Sequence, residues 1–298
     1  MKIYSMKKSI SITSLWLCFS VFAFGQIPEV FKSDGISAET QEQYEVAAKA
    51  FEAAANAFKE QNIIDTISIY RAGYNYARID QYEKAIPFLQ ECIDLKYNEG
   101  RASRLLSDTY FRLKNIEKAE TVLLTGKTNC PEDQFEFDKK LAYLYYNSGQ
   151  YEKAAEGFER LDAVVPGNKN YMYLYGFSLE RLKKYEEAVV VFEEMQQLFP
   201  GDKRAKKMLG IALFELTNEL NEKEVKRYEL MKNAKLEDYI ITKRKLEKIN
   251  MGYEKARVIL EESLVDYPKD MLIVRSLYAI YNKQFKEDKA TEMKSRLK

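Results

Sequence analysis

Histidine is absent from all 298 residues. That removes the commonest general base, the Cys–His and Ser–His couples, and every metal site that uses imidazole. Carboxylate chemistry survives the loss. There is no glycine-rich phosphate loop, no paired CxxC, no nucleophile elbow and no calcium loop. Neither sign of charge dominates: 47 basic residues face 46 acidic ones. No global field therefore favours nucleic acid. Tryptophan occurs once, as Trp16, and cysteine three times. No cysteine follows the small residues near position 25, where a lipid anchor would need one. Cys18 instead lies inside an apolar run.

That run, from Ile10 to Phe24, follows Lys7-Lys8 and is too short to span a bilayer comfortably. Ala23-Phe24-Gly25 then offers a small-x-small cleavage site. Residues 1–25 are read as a signal peptide that leaves Gln26 first, with an uncleaved anchor as the alternative. The expectation is an exported protein, periplasmic or secreted, with no stable membrane insertion after cleavage. Export permits a disulfide between the remaining Cys92 and Cys130, but spacing does not establish one. A small buried side chain is the plainer reading of Cys92.

What the chain does have is a phrase that returns five times. It reads Tyr82-Glu-Lys-Ala85, Ile116-Glu-Lys-Ala119, Tyr151-Glu-Lys-Ala154, Tyr185-Glu-Glu-Ala188 and Tyr253-Glu-Lys-Ala256. The alanines stand 34, 35, 34 and 68 residues apart, and a further 34 reaches Ala290. Self-similarity at this period marks a stacked helical repeat. Twelve residues before each alanine stand Gly73, Ser107, Ala142 and Gly176, small where two helices would cross closely. Nine before stand Tyr76, Tyr110, Tyr145 and Leu179. Four after stand Leu89, Leu123, Phe158 and Phe192. Twelve after stand Tyr97, Pro131, Pro166 and Pro200, and proline cannot continue a helix. Pro87 conflicts with this pattern, because it falls inside the second helix of the first repeat.

These residues resemble the tetratricopeptide repeat family. The match covers 65 to about 202 in register and continues more loosely beyond. The resemblance implies an all-α, right-handed solenoid of stacked antiparallel helix pairs. Residues 26–36 are read as a lead-in and 37–64 as an N-terminal capping helix, with Ser37 as its cap. Four regular repeats fill 65–202. In 203–269 the matching alanine arrives 34 residues late, so the unit is either one degenerate repeat plus another or one elongated hairpin. Tyr239, Leu246, Tyr253 and Leu260 recur every seven residues, which favours one long helix over about 236–265. Leu216, Leu220, Tyr228 and Met231 would face it. Residues 270–298 form a last pair with a polar outer helix.

In the resembled family the first helices line a groove that takes peptides or partner helices. Carried over by position, that groove presents Tyr70, Tyr74 and Arg78, then Arg104, Asp108 and Arg112. Tyr143, Tyr146 and Asn147 follow, then Tyr173, Phe177 and Arg181. Aromatics and arginines suit interface centres, although packing between repeats would use the same tyrosines. The lysine and asparagine set with which some members clamp a terminal carboxylate is not reproduced. The sequence thus points to a non-enzymatic scaffold or assembly adaptor of the cell envelope that binds a protein or peptide and needs no cofactor or metal. Glycan binding by the groove tyrosines is the alternative.

Overall fold

The computed structural model describes residues 27–297. The expected signal peptide, 1–25, lies outside the described residues. Among those described there are fourteen α-helices and no strand. The chain divides into two compact units, one ending at Tyr97 and the other starting at Asn98. Each unit is a stack of antiparallel helix pairs.

The first unit holds α1 (Pro28–Thr40), α2 (Tyr44–Glu60), α3 (Thr66–Arg78) and α4 (Tyr82–Asp94). Here two expectations are corrected. Residues 28–36 of the expected lead-in are helical, and 37–64 is not a single helix. A turn at 41–43 splits the segment into a full pair. Ser37 therefore sits inside α1 rather than at a cap. The pair follows the same internal template as the others, centred on Ala47. Gly35 stands twelve before that alanine and Phe51 four after it. A Cβ on Gly35 would come within 2.9 Å of the Phe51 ring, so only glycine fits there. Pro87 is accommodated inside α4, where its missing N–H removes one bond of the ladder.

The second unit begins with α5 (Glu99–Arg112) and α6 (Ile116–Asn129), then a 3-10 turn at Pro131–Asp133. It continues with α7 (Gln134–Asn147), α8 (Tyr151–Val164), α9 (Lys169–Arg181) and α10 (Tyr185–Leu198). It ends with α11 (Lys203–Glu229), α12 (Leu236–Asp266), α13 (Met271–Lys283) and α14 (Glu287–Arg296).

One turn closes most of the pairs. Asp80, Lys114, Gly149, Lys183 and Phe285 each adopt a positive φ. The N–H just beyond reaches back to the last turn of the first helix: Gln81 to Tyr76 at 3.0 Å, Asn115 to Tyr110 at 2.9 Å, Gln150 to Tyr145 at 2.8 Å. Lys184 to Leu179 and Lys286 to Tyr281 repeat it, each at 2.9 Å, and so does Gln43 to Ala38 at 2.8 Å. This left-handed C-terminal closure satisfies carbonyls that a helix end leaves unpaired. Asp65, Asn115, Asn168, Asp202 and Asp270 cap the following helices through side-chain oxygens.

The recurring alanines, Ala85, Ala119, Ala154, Ala188 and Ala256, are fully buried. Beside them Leu89, Leu123, Phe158 and Phe192 are buried too, each contributing about 1.5–3 kcal/mol. A second device joins neighbouring pairs. The Tyr76 hydroxyl donates to Glu52 of α2, Tyr145 donates to Glu120 of α6 at 2.8 Å, and Tyr281 to Glu261 of α12 at 2.5 Å. Cys92 and Cys130 are both buried free thiols. Burial pushes the Cys92 thiol up to about 12.

Residues 203–266 form one long antiparallel pair. Helix α11 has 27 residues and α12 has 31, against 13 or 14 in α5 to α10. No break falls near Asn250 or Gly252, and the far end extends about 20–25 Å beyond an ordinary pair. The facing stripe of α11 departs from the expected one at Leu220, which is exposed, whereas Leu216 packs on the core and Tyr228 meets Tyr239 of α12 at 6.4 Å. Phe214, Thr217 and Glu224 are buried as well. Polar pairs run along the seam: Tyr253 hydroxyl to Asn218 at 2.7 Å, Asn221 to Asn250 at 3.1 Å, Arg227 to Thr242 at 2.8 Å. Gly252 lies against the Thr217 side chain, where any Cβ would collide.

Candidate interaction groove

A first helix that ends in a left-handed turn places its i, i+4 and i+8 residues along one line. On α3, Tyr70 and Tyr74 stack with centroids 6.4 Å apart. Arg78 donates to the Tyr74 hydroxyl at 2.8 Å and lies 4.0 Å above the Tyr44 ring. These three expected residues thus form a local ladder within the first unit.

In the second unit the expected residues divide by role. Arg104 donates to Asp133 at 2.7 Å and Asp108 accepts from Lys140 at 2.5 Å. Both therefore bridge α5 to the segment that follows α6. Arg112 is exposed. Asp108, Tyr143 and Asn147 line a cleft of about 370 Å³ between α5 and α7, together with Phe111, Lys139 and Lys140. Those last three escaped the positional reading, because they stand beside the line carried over from the family pattern.

One step further, Tyr146 of α7 meets Phe177 of α9 edge-on at 5.6 Å. Tyr151 lies 6.2 Å from Tyr146 and 6.3 Å from Phe177. Tyr173 adds a fourth ring at 6.4 Å from Phe177. Arg181 and Arg204 flank the group, 5.7 Å from the Tyr151 ring and 4.9 Å from the Tyr173 ring. Edge-to-face pairs of this kind are worth about 0.5–1.5 kcal/mol beyond area burial. Tyr151 was not among the expected residues, although it is the tyrosine of the recurring phrase itself.

Phe158, fully buried, supports this surface from below, 5.3 Å from Tyr143 and 6.2 Å from Tyr146. Burial raises the phenol pKa of Tyr143, Tyr146 and Tyr173. All three remain neutral, half-buried rings with hydroxyls able to donate.

Beyond the rings the charge changes. Glu180 of α9 and Glu215 of α11 are half-buried. Burial raises both carboxyls, and for Glu215 the charges of Glu180 and Glu222 add to it. Tyr185 is raised by burial and by the charges of Glu215, Glu180 and Glu219. No group of three or more Cys, Asp and Glu residues could hold a metal ion among the described residues.

Antiparallel helix pairs of 13 or 14 residues, repeating a small residue, an aromatic and an alanine at fixed offsets, define a class: the helical-repeat scaffolds. A tetratricopeptide repeat model matches residues 68–99. A second model, described as anaphase-promoting complex, cyclosome, subunit 3, matches residues 127–195. Residues 68–99 thus carry a tetratricopeptide repeat, and the stacked fold supports a tetratricopeptide-repeat protein.

Solved structures agree on the fold. The C-terminal part of a TPR repeat-containing protein from Cytophaga hutchinsonii aligns with a TM-score of 0.61 at 12% identity, covering 90% of this chain and 93% of that one. A MamA protein aligns at 0.50 and 19% identity over 57% of this chain and 91% of its own. Residues 41 to the end of MamA from Desulfovibrio magneticus align at 0.50 and 19% identity over 59% of this chain and 96% of theirs. At such identities the likeness is one of fold. No curated protein matches in sequence.

Proposed function

We propose that the protein is a non-enzymatic scaffold that holds a peptide or protein segment along α5, α7 and α9. The observation that carries this reading is the ring group Tyr146, Tyr151, Tyr173 and Phe177 beside an open cleft. Rigid aromatics give broad contact with few rotors to freeze, which is why interface centres favour them. The half-buried Glu180 and Glu215 lie further along the same row of first helices, so a lysine or arginine near the segment's apolar anchor would meet carboxylates that Arg181 and Lys183 offset only in part. Glycan stacking is the weaker reading, because Tyr143 and Tyr146 are already engaged by Phe158. The N-terminal apolar run supports a location in the cell envelope after export.

The test is photo-crosslinking in the native cell, with a photoreactive phenylalanine at Phe177. A captured partner is then measured against purified protein with and without Tyr143→Ala plus Tyr146→Ala. Loss of two interface-centre tyrosines weakens binding by roughly 30-fold or more. Retention of every partner at wild-type affinity by the double variant refutes the groove.

A further inference from the structure

We propose that the far end of the α11–α12 hairpin docks on an anionic lipid surface. Two independent observations meet there. The first is apolar exposure. Leu230 is 71% exposed and Leu236 is 74% exposed, at the two helix ends that form the tip. Tyr239, Ile240 and Ile241 follow, exposed by 50%, 39% and 42%. Consecutive helix residues point about 100° apart, so Ile240 and Ile241 look out in different directions around α12, while the half-exposed Tyr239 packs edge-on against Tyr228 of α11 at 6.4 Å. The fourth, Thr242, is buried and faces the Arg227 guanidinium of α11. A protein groove covers one face of a helix and leaves the others wet. A fluid bilayer interface covers all of them at once, which suits side chains arranged around a tip.

The second observation is charge. Between Lys226 and Lys245 there are seven lysines and arginines but only three acids. Glu224, just before this stretch, accounts for Arg227 and Lys245. Among the described residues, Lys226, Lys232, Lys243 and Arg244 form no ion pair. The chain as a whole is nearly neutral at +1, so this basic end is a local feature. Basic residues around an apolar wedge match the two terms that bind proteins peripherally: burial at the headgroup boundary and attraction to anionic lipid. The docking is peripheral, because among the described residues no helix is long and apolar enough to cross a membrane. The additional turns of α11 and α12 set the tip about 20–25 Å beyond an ordinary pair, clear of the repeat body.

The full chain supplies its own probe background. With Trp16→Phe it holds no tryptophan, so Leu236→Trp reports the tip alone. Its emission is read with vesicles of equal phosphatidylglycerol and phosphatidylcholine, with phosphatidylcholine vesicles, and with polyglutamate. The expected result is a blue shift on the mixed vesicles, quenched by brominated lipid, and little change in the other two. Changing Lys232, Lys243 and Arg244 to glutamine weakens the partition roughly 100-fold. All these positions are exposed, so the helical signal stays at the wild-type level. No shift on any vesicle overturns the proposal. So does an equal shift on neutral vesicles, which removes the role of charge. A shift on polyglutamate without one on vesicles overturns it in favour of an acidic protein partner.

Discussion

Phe158→Ala is the sharpest probe of the second unit. The ring is fully buried, touches Tyr143 and Tyr146 of α7 and lies 6.3 Å from Tyr171 of α9. It therefore holds together three consecutive helices. A buried phenylalanine truncated to alanine costs about 3–5 kcal/mol, the spread reflecting how far the site collapses. In a stack, each pair touches only its neighbours, so the loss should stay local. Native-state hydrogen exchange reads this directly. Amides of α7, α8 and α9 should exchange roughly 100-fold to several-thousand-fold faster. Those of α13 and α14 should change by less than tenfold. Phe158→Leu keeps most of the volume and should cost less than about 1.5 kcal/mol. A uniform acceleration from α5 to α14 would refute the reasoning, because one closed core, not a row of pairs, would then carry the stability. A loss below about 1 kcal/mol would refute it too, by showing that the ring is not part of the packing.

Other outcomes follow from single contacts. Burial pushes the Asp202 carboxyl up, but the bond from Lys169, the Ala205 N–H and the charges of Lys169 and Arg204 outweigh it and hold the pKa below its ordinary 3.8. The unfolded chain then takes up this proton first as the pH falls. The stability difference between wild type and Asp202→Asn should be full above about pH 4 and fade as the pH drops through the folded value, as urea unfolding at pH 7 and pH 3 would show. Glu215 runs the other way, since its folded pKa lies above the ordinary 4.5. The native state holds that proton longer, so stability falls as the pH rises through the window. Glu215→Gln should be more stable than wild type at pH 7 and equal to it near pH 4, by the same assay. Gly252→Ala forces a Cβ onto Thr217 and should lower stability by about 1–3 kcal/mol. Gly201→Ala, with open space around it, should not. Equal thermal midpoints for the two variants would mean that α11 and α12 do not cross there.

Much of this fold could be read from residue spacing. Ala85, Ala119, Ala154 and Ala188 share one environment because a close helix crossing accepts only a small side chain, and that constraint is visible as letters at fixed intervals. The first pair hid for a physical reason. Its α1 carries Ser33, Asp34, Gly35 and Ser37, which suggest a loop, and α1 becomes helical because Gly35 seats the Phe51 ring. Tertiary contact overrode weak local propensity. Only the offsets around Ala47 betrayed it, and those lay outside the 34-residue register. The facing stripe of α11 was misjudged at Leu220, because a leucine was sought where Thr217, Asn218, Asn221 and Glu224 make a polar seam. In the groove, the row of first-helix aromatics followed from position. Lys139 and Lys140 of the cleft and Tyr151 of the ring group did not, since such neighbourhoods depend on how two helices lean together and not on either one alone.

The long hairpin has a further consequence. Its root keeps the usual equipment: Ala256 and Leu260 are buried, and Gly210 lets the two helices meet. The added turns all lie beyond that root. Helices α10 and α13 therefore find the neighbours they would find beside any ordinary member of the row. Growth at the free end is an outrigger that evolution can lengthen, trim or re-tip by whole turns without renegotiating the joints on either side.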